Sequence, residues 1–297
     1  MSDPHIDDAF NVRNTVPPKV FDATIAAYRR RSDQAVAGLP GIPDLVYDPE
    51  SGQRLDIWGT APGELRPAFL AIHGGYWRML SRHDTAFMAR PLADAGIATV
   101  AIDYGLAPAT TLEEIVRQVR TAVAWVHHHG TAHGLDPHRI TVGGSSAGGH
   151  LTASVMVRGW HADFAVPVDV VKAAAPLSGL FDLRPLVDSF ANEWLGLTPA
   201  RAAALSPQLH ADQPGPPALI AVAAADGTGF LHQSRVFHDS WSRHSPSTLR
   251  IIPARNHYDL FLDLADRQSI LTHDLIALIE ATAIRSPAPS STATPHD

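Results

Sequence analysis

The 297-residue chain contains no cysteine. That excludes disulfides, thiolate nucleophiles and cysteine-based zinc sites, and it suits a reducing cytoplasm, the compartment expected here. Long apolar runs are also missing. No stretch approaches the roughly 18 uninterrupted apolar residues that suggest a membrane span, so no membrane partner is expected. The acidic start, Met1 to Asp8, has no apolar segment of the kind a secretory signal needs. Positive charge is scarce. Lys and Arg number 23 against 30 Asp and Glu, a formal net charge of −7, and a nucleic-acid binder usually carries a basic patch or stripe. The zinc-hydrolase pattern H-E-x-x-H is absent, as are the dinucleotide loop G-x-G-x-x-G and the phosphate-loop G-K-[ST]. The 17 histidines are scattered, and the run His127-His128-His129 reads as the polar end of a helix. Neither a metal nor a cofactor is expected.

What is present is the composition of a globular enzyme, 45% hydrophobic and 18% charged, with enough length to bury a large core. Residues up to about 40 form a helical lead-in. Pro17-Pro18 opens a helix through Val20, Ile25 and Tyr28 into Arg29-Arg30-Arg31, read as a solvated face. Asp44–Tyr47 and Arg54–Trp58 read as a hairpin. Pro67–Ile72 and Ile97–Ile102 are almost wholly apolar, the mark of strands buried on both faces of a parallel sheet. Leu112, Ile115, Val116, Val119, Val123 and Val126 keep a helical period behind the capping-box pair Thr111 and Glu114. Further strands are expected at Val171–Ala175, Ala218–Val222 and Leu249–Ile252, and a last helix over Leu271–Ile279. Strands alternating with amphipathic helices imply a doubly wound, mainly parallel α/β domain over 41–284. Within it, the irregular stretch from about 180 to 212 reads as a small cap insertion, and 285–297 reads as a disordered tail.

Ile140-Thr141-Val142 enters Gly143-Gly144-Ser145-Ser146-Ala147-Gly148-Gly149, and a helical pattern leaves it. Gly144 to Gly148 fits G-x-S-x-G, a sharp strand-to-helix turn that lifts one serine hydroxyl clear of the sheet. Ser146 is then the nucleophile. Side chains at Gly144 or Gly148 would collide with the neighbouring strand and helix. A serine hydroxyl needs a base within hydrogen-bond reach and a third group to orient that base. The expected chain order is serine, acid, histidine. Asp226 ends an apolar strand and His257 follows the next one, so both stand in that order. Asp259 and Asp263 are rival acids close to His257, and Asp182 is a third. Acyl transfer also needs donors for a developing oxyanion. The backbone N–H of Ala147 is one, and Gly74 and Gly75, after an early strand, are the others.

Together these residues carry a family resemblance. His73-Gly74-Gly75-Tyr76-Trp77, Ser145–Gly148 and Asp226-Gly227-Thr228-Gly229-Phe230 with Gln233-Ser234 are similar to kynurenine formamidases (arylformamidases), members of the α/β-hydrolase fold. The likeness continues through Phe10–Asn14, Tyr104–Pro108, Leu177–Leu183, Ser206–Leu209 and His257-Tyr258, so it spans about 10 to 280. It implies Ser146, Asp226 and His257 as the triad and the glycines after His73 as the oxyanion hole. It also implies a small-molecule substrate, N-formyl-kynurenine or a similar aryl formamide. Two positions depart from the family pattern: Ser145 stands where histidine is usual, and Gly229 where an acidic residue is usual. A carboxylesterase acting on aryl or short-chain acyl esters is the alternative, and a catalytically silent binding protein is the alternative of another class. Tyr76 and Trp77 are candidates for the aromatic side of the substrate pocket, with core packing the other option. Whether the chain pairs as a homodimer is left open.

Overall fold

The computed structural model describes residues 2–285, so all of the expected tail but its first residue lies outside the described residues. Eight strands form one sheet: β1 (Gly41–Asp48), β2 (Gln53–Trp58), β3 (Arg66–Ile72), β4 (Ala98–Ile102), β5 (Leu135–Ser145), β6 (Val171–Leu177), β7 (Ala218–Ala225) and β8 (Ser247–Asn256). Their spatial order is β1-β2-β4-β3-β5-β6-β7-β8, with β1–β2 and β2–β4 antiparallel and every other pair parallel. Nine α-helices are described: α1 (Pro4–Phe10), α2 (Pro18–Val36), α3 (Ala89–Ala93), α4 (Leu112–His129), α5 (Ala147–Met156), α6 (Asn192–Leu195), α7 (Pro199–Ala204), α8 (Thr228–Trp241) and α9 (Ile270–Glu280).

Side chains alternate across a strand, and in this sheet each face meets a separate core. Ala68, Leu70 and Ile72 of β3 pack with α4, α5 and α8 through Ile115, Leu151 and Phe237. Phe69 and Ala71 point the other way, to Tyr28 of α2, Leu92 of α3 and Leu271 of α9. β7 divides likewise, with Ile220 and Val222 on one side and Leu219 and Ala221 on the other. Continuous apolar runs in the sequence follow from this double burial.

Connectivity sets where a ligand can sit. From β3 the chain passes to β4 on one side, then returns through α4 to β5 on the other. The crevice between β3 and β5, at their carboxyl ends, is the topological switch point where ligands bind in such sheets.

Two local expectations change. Thr111 caps α4 by accepting from the Glu114 N–H at 3.3 Å, yet Glu114 spends its carboxylate on Arg117 and Gln118, so only half of the capping box forms. β5 starts at Leu135, five residues before the apolar run, and its pairing with β3 skips between Asp136 and Ile140.

The lead-in also contains α1, which apolar periodicity does not reveal. Asp3 caps it by accepting from the His5 N–H at 2.9 Å, and Pro4 fits the first turn, where no N–H is needed. α1 docks on α8 with Phe10 edge-on to Phe230, ring centres 5.9 Å apart. Gly229 makes this possible, because a Cβ there would lie 2.5 Å from the Phe10 ring. The glycine that departs from the family pattern therefore has a packing role. Gly229→Val is expected to cost about 1–3 kcal/mol of stability by overpacking, read as a lower urea midpoint with an unchanged slope.

Candidate active site

Each strand from β3 to β8 delivers a polar residue at the first position past its end. His73 follows β3, Asp103 β4, Ser146 β5, Ser178 β6, Asp226 β7 and His257 β8. Strand ends are rigid, and their register places these side chains on one rim of the sheet.

Ser146 sits at φ 60°, ψ −120°, a left-handed conformation that costs a non-glycine residue energy. The glycines on either side explain how the turn fits. A Cβ on Gly144 would lie 2.4 Å from the Ile72 carbonyl oxygen, and one on Gly148 only 2.2 Å from the same atom. The elbow is thus pressed against β3 with no room for side chains. Ser146 and His257 line the same pocket. No hydrogen bond joins them among the described residues, and such contacts commonly tighten only when substrate binds.

His257 is buried, and its Nδ1 lies 2.8 Å from Asp226 Oδ1. With Nδ1–H donated to the carboxylate, Nε2 is left as the acceptor, the tautomer a general base needs. The Asp226 side chain is fully enclosed. Its Oδ1 also accepts from the Gly227 N–H at 2.7 Å, and its Oδ2 accepts from the Ser178 hydroxyl at 2.6 Å. The rival acids are engaged elsewhere. Asp259 binds the Asn256 backbone and side chain, Asp263 pairs with Arg255, and Asp182 pairs with Arg184. Ser178 carried no role in the sequence reading; only its place after an apolar strand could have singled it out.

The backbone N–H groups of Gly74, Gly75 and Ala147 donate to no protein acceptor among the described residues. Ala147 opens α5, whose first N–H groups have no intrahelical partner and form the positive end of the helix dipole. Gly74 approaches the elbow so closely that a Cβ would lie 2.7 Å from the Ser145 carbonyl oxygen and 3.4 Å from Ser146 Cβ. The glycine turn is itself pinned. The Tyr104 hydroxyl donates to the carbonyls of His73 at 2.9 Å and Gly74 at 3.2 Å, while the His73 ring stacks on Tyr104 at 3.9 Å. Burial holds His73 below its ordinary pKa, against the pull of the Gly74 carbonyl. Downstream, Arg82 ties the loop down through Asp56, Asp103 and Asp44.

Of the two aromatic candidates only Tyr76 reaches the pocket, and its hydroxyl donates to the Phe10 carbonyl. Trp77 does not line the pocket. It is fully buried, edge-on to His150 at 5.2 Å, so its bulk serves the core. Hydrophobicity alone could not separate the two neighbours; the left-handed backbone at both sends consecutive side chains apart.

The pocket encloses a cavity of about 160 Å³. One wall comes from the lead-in: Asn11, Val12 and Arg13, then Phe21, Ile25 and Tyr28 of α2. From the irregular insertion only Phe190 is on the lining. The two segments are joined, since Asp7 accepts from the Phe190 N–H at 2.7 Å and the Asp3 N–H donates to the Asp188 carbonyl at 2.7 Å. No group of three or more metal-ligating side chains occurs among the described residues, and no described helix is long and apolar enough to cross a membrane.

His150, one turn into α5, gives a pH-dependent prediction. Its Nε2 bonds the Leu205 carbonyl at 2.9 Å, its Nδ1 has no partner, and burial pushes its pKa down to about 4 from the usual 6.5. Above pH 6.5 both folded and unfolded states hold it neutral, so it leaves stability unchanged there. Below that the unfolded chain takes up a proton that the folded one refuses, and stability falls as pH falls. The loss from this residue approaches about 3 kcal/mol by pH 4. Urea unfolding at pH 7.5 and 5 should show the decline, and His150→Gln should flatten it.

Comparison with known proteins adds the following. The family described as BD-FAE matches residues 55–241. A kynurenine formamidase from Salmo salar is 28% identical over 269 residues, covering 88% of this chain and 89% of the relative. Esterase LipQ from Mycobacterium tuberculosis is 32% identical over 175 residues, 52% of this chain and 41% of the relative. Among solved structures, the carboxylesterase EstE1 from a metagenomic library superposes with a TM-score of 0.70 at 18% identity, covering 92% of this chain and 99% of that one, which establishes the α/β-hydrolase fold.

Proposed function

The chain belongs to the BD-FAE family and is a serine hydrolase; from that premise we propose that Ser146, His257 and Asp226 cleave a small aryl formamide such as N-formyl-kynurenine. One observation carries the reading. A serine held in a left-handed elbow shares a pocket wall with an imidazole whose far nitrogen is bonded to an enclosed carboxylate.

Ser146 Oγ attacks the formyl carbon while His257 Nε2 takes its proton. The N–H groups of Gly74, Gly75 and Ala147 receive the negative oxygen. Asp226 stabilises the imidazolium without itself taking the proton. As the tetrahedral adduct collapses, His257 protonates the departing aryl amine and the formyl group stays on Ser146. Water, deprotonated by His257, then releases formate. An anilide nitrogen shares its lone pair with the ring, so this amide yields more readily than an aliphatic one. Phe21, Tyr76 and Tyr258 offer faces against which an aryl group packs. The substrate is a small molecule met in the cytoplasm.

An ester reading uses the same parts, and the relatives named esterases favour it. Purified protein given N-formyl-kynurenine and phenyl acetate separates the two. The formamide reading expects the higher kcat/KM on N-formyl-kynurenine; the reverse order assigns a carboxylesterase. Hydrolysis of neither, with no labelling of Ser146 by a fluorophosphonate, assigns a silent binding protein.

A further inference from the structure

Among the described residues that line the pocket there is one permanent cation, Arg13, and no carboxylate. Arg13 makes no ion pair and no hydrogen bond among the described residues, in a wall that is otherwise mostly apolar. Its guanidinium lies over the Phe21 ring, 3.9 Å from the ring centre. That contact steadies the plane by cation–π attraction and leaves the N–H edges free. Tyr258 meets the same ring edge-on at 5.0 Å, and its hydroxyl also has no partner among the described residues. Burial, opposed by the nearby Arg13 charge, pushes the Tyr258 phenol up to about 12, so it remains a donor at neutral pH.

The segment that carries Arg13 is fixed. Val12 is buried, Phe10 is locked between Phe230 and Gly229, and the Tyr76 hydroxyl holds the Phe10 carbonyl. Arg13 is half-buried, so its free N–H edges face water at the pocket, and a ligand carboxylate can displace that water. The chain as a whole carries −7, so an anionic substrate needs a local cation to be held.

We propose that Arg13, with the Tyr258 hydroxyl beside it, anchors a carboxylate that the substrate carries away from its scissile carbonyl, making the enzyme selective for anionic over neutral aryl substrates. The inference rests on the hydrolase reading above. It adds that the acid group is recognised by Arg13 of the N-terminal lead-in together with the Tyr258 hydroxyl, and that the triad and the oxyanion donors take no part in holding it. A planar guanidinium offers two parallel N–H donors to a carboxylate, which is why arginine suits this role better than lysine.

The test uses matched pairs, 3-(4-formamidophenyl)propanoic acid against its primary amide, and the corresponding aryl acetates. The wild-type ratio of kcat/KM, acid over amide, is expected to exceed roughly tenfold, and Arg13→Met is expected to cut that ratio by roughly 10–100-fold. Arg13→Lys should restore part of it. A merely structural arginine would lower both rates together and leave the ratio intact, and that result overturns the proposal. So does a wild-type ratio near one. A turnover-free arm uses Ser146→Ala and calorimetry with 3-phenylpropanoate and its amide. Preference for the acid that vanishes in Ser146→Ala/Arg13→Met supports the anchor even if no substrate is hydrolysed, in which case the hydrolase reading alone fails. Equal binding of acid and amide overturns it.

Discussion

Ser146→Ala is expected to lower kcat by roughly a million-fold while leaving the fold in place. The size follows from the chemistry: without Oγ no acyl-enzyme forms, and the base has no hydroxyl to activate. What remains is the activity that positioned donors lend to water, roughly 10³–10⁴-fold over the uncatalysed rate. The substitution removes one oxygen from a side chain that is 7% exposed, so packing changes little. The φ of 60° is strained for alanine as it is for serine. A KM near wild type together with the collapsed kcat would show that the pocket survived. Ser145→Ala is the control. Ser145 also lines the pocket, but the strained elbow belongs to its neighbour, and no comparable loss is expected.

Asp226→Asn is expected to cost roughly 10⁴-fold in kcat. Asp226 Oδ1 accepts from both the His257 ring and the Gly227 N–H, and Oδ2 accepts from Ser178. An asparagine can meet the first two donors only with its single oxygen, and its amide then faces Ser178. If it turns the other way, its N–H₂ meets the ring nitrogen, and the imidazole flips to the tautomer that presents N–H to Ser146. In either orientation the negative charge that stabilises the imidazolium is gone. Ser178→Ala removes one donor to the carboxylate and is expected to cost roughly tenfold. Ser178 acts through Asp226 and His257, so it is a positioning residue. Its substitution should change kcat and the acidic limb of the pH profile, with KM little affected.

The strand-to-helix turn at 143–149 and the apolar runs at Pro67–Ile72 and Ala218–Val222 were legible because burial on both sheet faces forces them to be apolar and small. The order serine, acid, histidine was legible for the same reason, since each stands just past a recognisable strand. Asp226 stands out from Asp259 and Asp263 in the sequence because it ends an apolar strand while they crowd the turn after His257; its contact with the His257 ring is visible only in three dimensions. α1 was hidden because its evidence is a cap and a proline, with little apolar periodicity. The pocket roof was hidden because Asn11 to Arg13 reach the crevice only when the lead-in folds across the sheet. Trp77 shows the limit of composition. An aromatic residue beside a candidate site looks the same in sequence whether it meets a ligand or, as here, the core.

The central claim is that Ser146, and not its neighbour, is the activated hydroxyl. Reaction with a fluorophosphonate followed by peptide mapping tests it most directly. One adduct per chain is expected, on Ser146, formed quickly in the wild type and slowly in His257→Gln. An adduct on Ser145, or labelling at the same rate without His257, would contradict it.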